Sequence, residues 1–462
     1  MQVKKNMFAD ASHPPSLPSG LIGGHIRQFW RDRTGFLTRQ AALGDVSFFR
    51  MGGQPVYLVN HPELIRDLLV VNADKFIKGR ALQRAKVLLG DGLLTSESEF
   101  HLRQRRMIQP AFHRARIADY SRSMVEYAER MTAGWTSGEV RDIDREMMHL
   151  TLQIVARTLF SSNVDDDADE IGEALTALVE LFNFLMLPFS EWLERLPLPH
   201  SRRFRNARDT LDRIMYSIID ERRRSGIDKG DLLSMLLSAQ DEADGTAMTD
   251  KQVRDEVLTL FLAGHETTAN ALTWTWYLLS QHPDAASRLH AELDSVLDGR
   301  PPSIGDLPDL KVTEAVLAES MRLYPPAWTL GRLAIAEHEI GGYKVPVGSM
   351  VMASQWVMHR DKRFWEEADR FKPERWESQS VKEAGQRNIY FPFGGGSRRC
   401  IGEGFAWAEG ILLIASIARN WRFILDPNQQ IDVRPMITLR PRYGMRMTIE
   451  RRDQADAPIS SG

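Results

Sequence analysis

The chain contains one cysteine, Cys400, in the run 393–402, whose sequence is FGGGSRRCIG. One cysteine cannot form a disulfide within the chain, and a structural zinc site needs several Cys or His ligands at short spacings, which this run lacks. Glycines allow close approach to a flat group, the arginines add positive charge, and the apolar stretch 405–418 predicts a helix that begins near the sulfur. These features favour a thiolate that serves as a single ligand. The alternative is a small buried cysteine in a glycine-rich turn, which leaves this spacing of glycine and arginine unexplained.

Polar residues interrupt an apolar helical stretch at 263–268, where the sequence reads AGHETT. Glycine is costly inside a helix, so Gly264 is expected where another group packs against the backbone. The hydroxyls of Thr267 and Thr268 can also bond back to helix carbonyls and open the helix locally. A solvated polar face is the alternative interpretation for the acidic and imidazole side chains of this run taken alone.

A third feature is the pair of charged residues Glu319 and Arg322, which are three residues apart on a predicted helix that ends before Pro325. They share a helix face and can form an ion pair. Alone, such a pair is usually exposed and adds little stability.

Most of the elements that must position these residues are predicted to be helical. The longest candidate helix starts at Thr249, where Thr249 and Gln252 match a capping box, and it runs to about Gln281 before Pro283. Such a helix is roughly 48 Å long, enough to cross a domain and to carry an active site.

Strands are predicted in two places. Val46–Met51 and 55–59, joined through two glycines, form a hairpin, and a further pair covers 343–347 and 350–353. No internal repeat or low-complexity linker divides the chain. The fold class is therefore mainly α with small β-sheets.

The simplest division of the chain is a single domain with flexible ends. The domain covers 19–450, after a flexible N-terminal segment, 1–18, and before a flexible C-terminal tail, 451–462.

Composition excludes several classes of protein. The 462 residues carry a formal net charge of -3, so we expect no overall attraction to nucleic acid. The N-terminus lacks the apolar segment of a signal peptide, and no apolar run is long enough to cross a bilayer. One cysteine fits a reducing compartment. We expect a cytoplasmic protein with no transmembrane anchor.

The pattern Phe393-x-x-Gly396-x-Arg398-x-Cys400-x-Gly402 resembles the haem-binding loop of the cytochrome P450 family, in which the cysteine thiolate is the proximal ligand of the haem iron. The resemblance implies that Cys400 is the metal ligand. It also implies that Phe393, Arg398 and Gly402 belong to the loop that binds the cofactor, haem b (iron protoporphyrin IX).

The run 263–268 resembles the distal oxygen-binding motif of the same family. On that resemblance, Thr267 hydrogen-bonds the bound dioxygen and Glu266 helps to relay protons. These two side chains are the implied catalytic residues.

Glu319-x-x-Arg322 resembles the family's Glu-x-x-Arg element, a buried structural pair that locks onto an arginine of the stretch 371–376. Arg375 is the matching arginine. The three motifs occur in the family's order, and the resemblance spans nearly the whole chain. It implies the cytochrome P450 fold, in one domain with a long central helix.

Haem carries two propionates, and arginine forks hold such carboxylates well. The positions that match the family's are Arg105, Arg332 and Arg398. The family usually has Trp four residues before the arginine that aligns with Arg105; here that residue is His101, which can still donate a hydrogen bond. For each arginine the alternative is a solvated surface side chain.

The resemblance implies a soluble, bacterial-type haem-thiolate monooxygenase. Such an enzyme inserts one oxygen atom from O2 into an apolar small molecule, here of the fatty acid, terpenoid or steroid class. Four segments fall where the family contacts its substrates, although core packing also explains them: 87–94, 178–187, 327–330 and 436–439.

Electrons are expected from separate proteins, a ferredoxin or flavodoxin with its reductase, because no further cysteine is present for an iron–sulfur centre. A basic patch is the candidate docking surface, and it comprises Arg103, Arg106, Arg114, Arg116 and Arg399.

Two other functions remain open. A peroxide-using or isomerising haem-thiolate enzyme keeps Cys400 but does not depend on Thr267 or on an electron donor. A non-enzymatic haem sensor can have its distal haem pocket filled, and it converts no substrate with any electron donor. The presence of both Glu266 and Thr267 favours oxygen activation.

Overall fold

The computed structural model describes residues 13–20, 23–161, 170–175, 177–178, 199–240 and 245–452. The chain divides into two compact units. The smaller unit comprises Met1–Gln83, Ala327–Arg370 and Ser380–Cys400, and the larger unit comprises Arg84–Pro326, Phe371–Gln379 and Ile401–Gly462.

The smaller unit is built on a five-stranded sheet. Its strands lie in the order Val46–Met51, Gln54–Val59, Met350–Ala353, Leu330–Ala334 and Phe76–Lys78. The second and third strands are parallel, and the other neighbours are antiparallel. The first two strands form the predicted hairpin, which is confirmed. Both are apolar and mostly buried, as is typical of strands that are covered on two faces.

The predicted pairing of 343–347 with 350–353 is wrong. Both segments contain strands, but Tyr343–Val345 pairs with His338–Ile340, whereas Met350–Ala353 lies inside the five-stranded sheet. The partner of a strand depends on the side chains that pack around it as well as on its neighbours in sequence. The apolar strand Met350–Ala353 is buried better between two strands of the larger sheet than it would be beside Tyr343–Val345.

The smaller unit also contains short helices. The α-helices are Ile26–Arg31, Arg33–Ala41, Pro62–Arg66, Gln355–Met358 and Val381–Gln386, with a π-helical turn at Asp67–Val71 and 3-10 turns at Ala73–Lys75 and Gly396–Arg398. Within the segment predicted to be a flexible end, the carbonyl of Pro15 accepts a hydrogen bond of 2.9 Å from the Phe48 amide.

The larger unit is organised around the long helix Asp250–Gln281. The predicted capping box is confirmed, because the Thr249 hydroxyl accepts from the Gln252 amide at 3.2 Å and the Gln252 side chain accepts from the Thr249 amide at 2.8 Å. The next residue is His282, and Pro283 starts a new helix. Most side chains of the long helix are buried, so other helices cover it on nearly all sides.

The remaining elements of the larger unit are mainly helices. They are Ser98–Ile108, Arg114–Ala133, Ile143–Phe160, Pro199–Ser225, Leu232–Ser238, Pro283–Leu297, Lys311–Leu323, Arg375–Ser378 and Glu403–Ala418, with 3-10 turns at Gln109–Phe112 and Ile304–Asp306. Arg80–Leu89 runs across the sequence boundary between the units. Strands Val140–Asp142, Arg446–Arg451 and Trp421–Leu425 form one sheet, and Val433–Pro435 pairs with Leu439–Pro441. The predicted fold class, mainly α with small β-sheets, is confirmed.

The helix Ile143–Phe160 packs directly on the long helix. A Cβ atom on Gly264 would lie 3.0 Å from Cγ2 of Val155, so glycine permits a close approach of the two helices there. In the same contact, the Thr151 hydroxyl donates to the carbonyl of His265 at 3.0 Å. Among the described residues, no helix is both long enough and apolar enough to cross a membrane.

Candidate active site

Cys400 lies at the end of an irregular loop in the smaller unit. Its side chain is exposed, which contradicts the alternative of a small buried cysteine. Its amide donates to the carbonyl of Phe393 at 2.9 Å, closing the loop on itself. Gly402, two residues later, is the N-cap of the helix Glu403–Ala418. A helix N-terminus favours nearby negative charge, so this position suits a thiolate.

The loop around Cys400 is held by a close backbone contact. Gly396 has a φ of +66°, and a Cβ atom there would lie 1.9 Å from the carbonyl oxygen of Leu69. No other residue type fits this contact, because any side chain would begin inside that oxygen. Phe393 and Arg398 belong to the same loop and are half-buried. The sequence correctly indicated that the glycines permit a close approach, but at Gly396 the approaching group is protein backbone.

Two cations lie side by side in the sheet of the smaller unit. Lys78 and Arg332 are directly paired across the antiparallel strands Phe76–Lys78 and Leu330–Ala334, and both are buried. Side chains at paired positions share one face of the sheet, so the two cations lie on the same face. Arginine and lysine are side chains that hold carboxylates, so the pair fits the propionates of the implied cofactor. Lys78 was missed from the sequence, since its pairing with Arg332 joins distant parts of the chain.

In the larger unit, the long helix has a partly exposed face in its middle. Ala263, Gly264 and Thr267 are partly exposed, whereas the residues around them are buried. Ala263 and Thr267 are four residues apart and share one side of the helix, where a flat group can lie against them, whereas Gly264 between them is packed against Val155. The Thr267 hydroxyl donates to the carbonyl of Ala263 at 2.7 Å. Its lone pairs stay available to accept a hydrogen bond on this face.

Glu266 is next to Thr267 in sequence but its carboxylate is engaged elsewhere. It is buried, and its Oε1 accepts from the Thr438 hydroxyl at 2.5 Å and from Nε of Arg440 at 2.8 Å. Asn270 donates to the same Thr438 hydroxyl at 3.2 Å. The structure therefore brings the predicted substrate-contacting segment 436–439 against the motif. A proton relay through Glu266 requires this carboxylate to leave Arg440 or to act while bound to it.

A second buried acid, Glu409, was missed from the sequence. It lies in the apolar helix Glu403–Ala418, and its side chain is fully buried. Burial raises the pKa of Glu409 to about 8, an effect that the neighbouring Thr268 hydroxyl partly offsets. The carboxyl group is therefore mostly protonated at neutral pH. A single acid in the run FAWAEGILLIASIA was the available signal.

Glu409 makes the stability of the protein depend on pH. The folded protein keeps the Glu409 proton up to about pH 8, whereas the unfolded chain loses it near the ordinary value of 4.5. Between these values the folded state binds more protons, so this group lowers the free energy of unfolding by about 1.4 kcal/mol per unit of rising pH. We expect Glu409→Gln to remove that slope, as measured by urea unfolding at pH 5, 6.5 and 8. An unchanged slope in the variant would show that Glu409 is ionised in the folded protein.

His101 and Arg105 lie four residues apart on the helix Ser98–Ile108 and share a face. His101 is buried, and Arg105 is half-buried. Nδ1 of His101 lies 3.1 Å from the carbonyl of Leu93, a contact that requires a proton on Nδ1. Nε2 then donates a hydrogen bond only when the ring is charged. This restricts the role that the sequence suggested for His101.

The loop before this helix is fixed by two acids of the long helix that were also missed from the sequence. Glu256 accepts from the Leu93 amide at 2.8 Å and from Nε2 of Gln104 at 3.0 Å. Asp255 accepts from the Asp91 amide at 3.0 Å. Two adjacent buried acids in an apolar helix were the signal, because buried carboxylates require donors from elsewhere in the chain.

Glu319 and Arg322 are both fully buried, as the resemblance implied. Glu319 accepts from Arg322 at 2.8 and 2.9 Å and from Nε of Arg375 at 2.9 Å. The predicted contact with Arg375 is therefore confirmed. The pair belongs to the packing of the larger unit, with a structural role.

The predicted site residues are divided between the two units. The smaller unit contains Arg332, Phe393, Arg398 and Cys400, and the larger contains His101, Arg105, Glu266, Thr267 and Gly402. Of the predicted substrate-contacting segment 178–187, all but residue 178 lies outside the described residues. In the smaller unit the exposed thiol and the buried cation pair each suit a haem group, and in the larger unit so does the open helix face.

Comparisons with known proteins agree with these features. A family model described as Cytochrome P450 matches residues 14–446. The chain is 42% identical over 426 residues to cyclooctatin synthase of Streptomyces melanosporofaciens, covering 91% of this chain and 92% of that protein. It is 40% identical over 424 residues to cyclooctat-9-en-7-ol 5-monooxygenase of the same organism, covering 90% and 92%. The crystal structure of the cytochrome P450DA heme domain is similar, with a TM-score of 0.84 and 25% identity over 95% of this chain and 98% of that one. The chain therefore belongs to the cytochrome P450 family.

Proposed function

We propose that this haem-dependent monooxygenase oxidises a cyclic terpenoid, with electrons from a separate ferredoxin or flavodoxin and its reductase. The observation that carries the proposal is the exposed Cys400 thiol, held in a glycine loop two residues before a helix N-cap. Bound haem supplies the activation of dioxygen and the insertion of one oxygen atom into a C–H or C=C bond.

The residues of the chain bind and orient the cofactor. In our proposal, the Cys400 thiolate is the iron ligand and is stabilised by the N-terminal end of the helix Glu403–Ala418. Arg332 and Lys78, with Arg398 in the cysteine loop, hold the carboxylates of the cofactor. Arg105 contributes a further positive charge, and His101 contributes a donor when its ring is charged.

Proton delivery is the proposed role of Thr267 and Glu266. The Thr267 hydroxyl lies on the open face of the long helix, and its donation to Ala263 fixes its orientation. Glu266 is held by Arg440, so its ion pair controls when its carboxylate is available. This arrangement favours oxygen activation over a peroxide-using or sensing role, for which no proton delivery is needed.

The substrate class is inferred from a relative. The 5-monooxygenase that shares 40% identity acts, by its name, on cyclooctat-9-en-7-ol, a compound with an alkene and an alcohol group. An apolar pocket with a few polar groups recognises such a molecule by its hydrocarbon skeleton and orients it through the hydroxyl. The segment 436–439 supplies apolar side chains next to Glu266, to which its Thr438 hydroxyl donates.

The substrate proposal is tested by titrating the haem-loaded protein with cyclooctat-9-en-7-ol and, separately, with palmitate. We expect the terpenoid to shift the iron to the high-spin state at micromolar concentrations and palmitate to leave the spectrum unchanged. Product analysis then identifies the oxidised carbon. A spin-state shift with palmitate alone would assign the enzyme to the fatty acid class instead.

Thr267→Ala is expected to separate electron consumption from product formation. Alanine removes the hydroxyl from the open helix face, so the proposed proton delivery is impaired. Most of the electrons consumed then reduce dioxygen to hydrogen peroxide and do not yield product. We expect the ratio of product to NAD(P)H consumed to fall several-fold, as measured in a reconstituted system by product, peroxide and cofactor assays. Thr267→Ser keeps the hydroxyl and is the matched control, with a ratio near that of the parent. Full coupling in Thr267→Ala would remove Thr267 from the proposed relay.

The basic patch is the proposed docking surface for the electron donor. Arg106, Arg114 and Arg399 are exposed, whereas Arg103 and Arg116 are half-buried and Arg103 donates to the carbonyl of Thr246 at 3.2 Å. Long-range attraction to an acidic partner falls with salt. Charge reversal at Arg106 and Arg114 should therefore slow reduction by the donor at low salt, and an unchanged rate would place the docking surface elsewhere.

A further inference from the structure

A cleft in the larger unit is lined by none of the proposed active-site residues. Its volume is about 550 Å³, and it is lined by the first turns of the helix Arg114–Ala133, the last residues of the helix Ile143–Phe160 and the loop before the helix Leu232–Ser238. Clefts of this size accept small molecules the size of a nucleotide.

The cleft carries an excess of positive charge. Four cations line it: Arg116, Arg122, Arg157 and Lys229. Among the described residues, none of these four has an ion pair. The Asp231 carboxylate at the rim is already neutralised by the buried Arg222, with hydrogen bonds of 2.6 and 2.8 Å. Asp119 is the other acid of the lining, so the four cations exceed its one negative charge by three.

One of the residues that line this cleft has a buried hydroxyl with no hydrogen-bond partner among the described residues. Tyr120 is 6% exposed, lines the cleft, and its hydroxyl makes no hydrogen bond to any described residue. Burial raises the pKa of Tyr120 to about 12, although Arg116 opposes that shift, so the group remains an O–H donor at physiological pH. Buried hydroxyl groups are normally hydrogen-bonded, so this O–H can donate to an acceptor that the described residues do not supply.

The loop before the helix Leu232–Ser238 leaves room for the side chain of Arg116. Gly230 has a φ of +69°, and a Cβ atom there would lie 3.2 Å from Nη1 of Arg116. A side chain at this position would press on the guanidinium group, so glycine keeps Arg116 in the lining. Arg116 also lies in the first turn of a helix of 20 residues, where the helix dipole adds to the positive potential.

We propose that this cleft binds the phosphate group of a small molecule. Arginine forks and a lysine complement the charge of a phosphate, and the Tyr120 hydroxyl donates to one of its oxygens. The excess of three positive charges favours a polyvalent anion over a single carboxylate. The ligand site is separate from the haem-binding residues, so it does not depend on the proposed substrate.

The test uses the haem-loaded protein and isothermal titration calorimetry at constant ionic strength. Inorganic pyrophosphate and adenosine diphosphate are the two probes, with chloride salts setting the background. We expect saturable one-to-one binding of both. Tighter binding of adenosine diphosphate than of pyrophosphate would show that the rest of the cleft binds an organic group. Equal binding of the two probes would show that the site recognises only the inorganic anion.

Variants separate a built site from general attraction to charge. Arg157→Gln should weaken binding roughly tenfold or more, because a hydrogen-bonded charge is lost. Arg145→Gln is the matched control, since Arg145 is exposed on the same helix and does not line the cleft. Tyr120→Phe keeps the ring and should weaken binding several-fold. Retention of the ferrous carbon monoxide spectrum shows that each variant is folded.

Two results would overturn the proposal. One is the lack of saturable binding by either probe at millimolar concentration. The other is an equal loss of affinity in Arg157→Gln and Arg145→Gln, which would show that the anion is attracted only by the general surface charge of the helix.

Discussion

Replacing Cys400 with alanine is expected to abolish monooxygenase activity and the strongly red-shifted Soret band of the reduced, carbon monoxide-bound protein. That band reports a cysteine thiolate on the haem iron, and Cys400 is the only cysteine of the chain. Its thiol is exposed and lies before a helix N-terminus, and the chain has no other cysteine that could supply the thiolate. Without it, electron density that favours O–O cleavage is lost.

The measurement is a difference spectrum of the parent and the variant, each loaded with haem and reduced. Circular dichroism and the elution volume on size exclusion control for folding. Since Cys400 is exposed, its truncation leaves no cavity in the core, and the variant should fold. A red-shifted band in a folded, haem-loaded Cys400→Ala variant would end the haem-thiolate interpretation of this protein.

Glu319→Ala is expected to produce the largest loss of stability. Glu319 is fully buried and accepts from two side-chain nitrogens of Arg322, from Nε of Arg375, from the Lys372 amide and from Nε1 of Trp376. Its removal leaves two guanidinium groups close together without their carboxylate. Breaking a buried ion pair in this way costs about 3–5 kcal/mol.

Urea unfolding of the haem-loaded proteins measures this cost. Glu126→Ala is the matched control, because Glu126 forms an exposed pair with Arg130 at 3.1 Å and should contribute about 1 kcal/mol or less. Glu319→Gln keeps the shape of the side chain and serves if the alanine variant does not accumulate. If both Glu319 variants unfold at the same urea concentration as Glu126→Ala, the buried network is unimportant for stability.

The sequence predicted elements whose signals are local. The long helix was recognisable because Thr249 and Gln252 form a capping box and Pro283 follows the end of the helix. The hairpin was recognisable because two glycines separate apolar strands. A local motif also identified the cysteine loop, whereas the contact of Glu319 with Arg375 was implied only by the resemblance to the cytochrome P450 family.

Features that depend on distant partners could not be predicted in the same way. The strand Met350–Ala353 pairs with Gln54–Val59 and Leu330–Ala334, so the prediction that it pairs with the adjacent segment 343–347 was wrong. The pairing of Lys78 with Arg332 and the hydrogen bonds of Glu256 to the loop before His101 have the same origin. The raised pKa of Glu409 follows from burial, which a single acid in an apolar helix indicates only once the packing is known.

The contact between Gly396 and Leu69 restricts how this enzyme can be engineered. Directed evolution often randomises the residues near a catalytic cysteine to change the reaction of an enzyme. A Cβ atom at 396 would overlap the Leu69 carbonyl at 1.9 Å, whereas one at Gly395 would meet Leu69 carbons at an ordinary 3.5 Å. A combinatorial library should therefore keep glycine at 396 and vary 395, because most members with a substitution at 396 will be lost to misfolding.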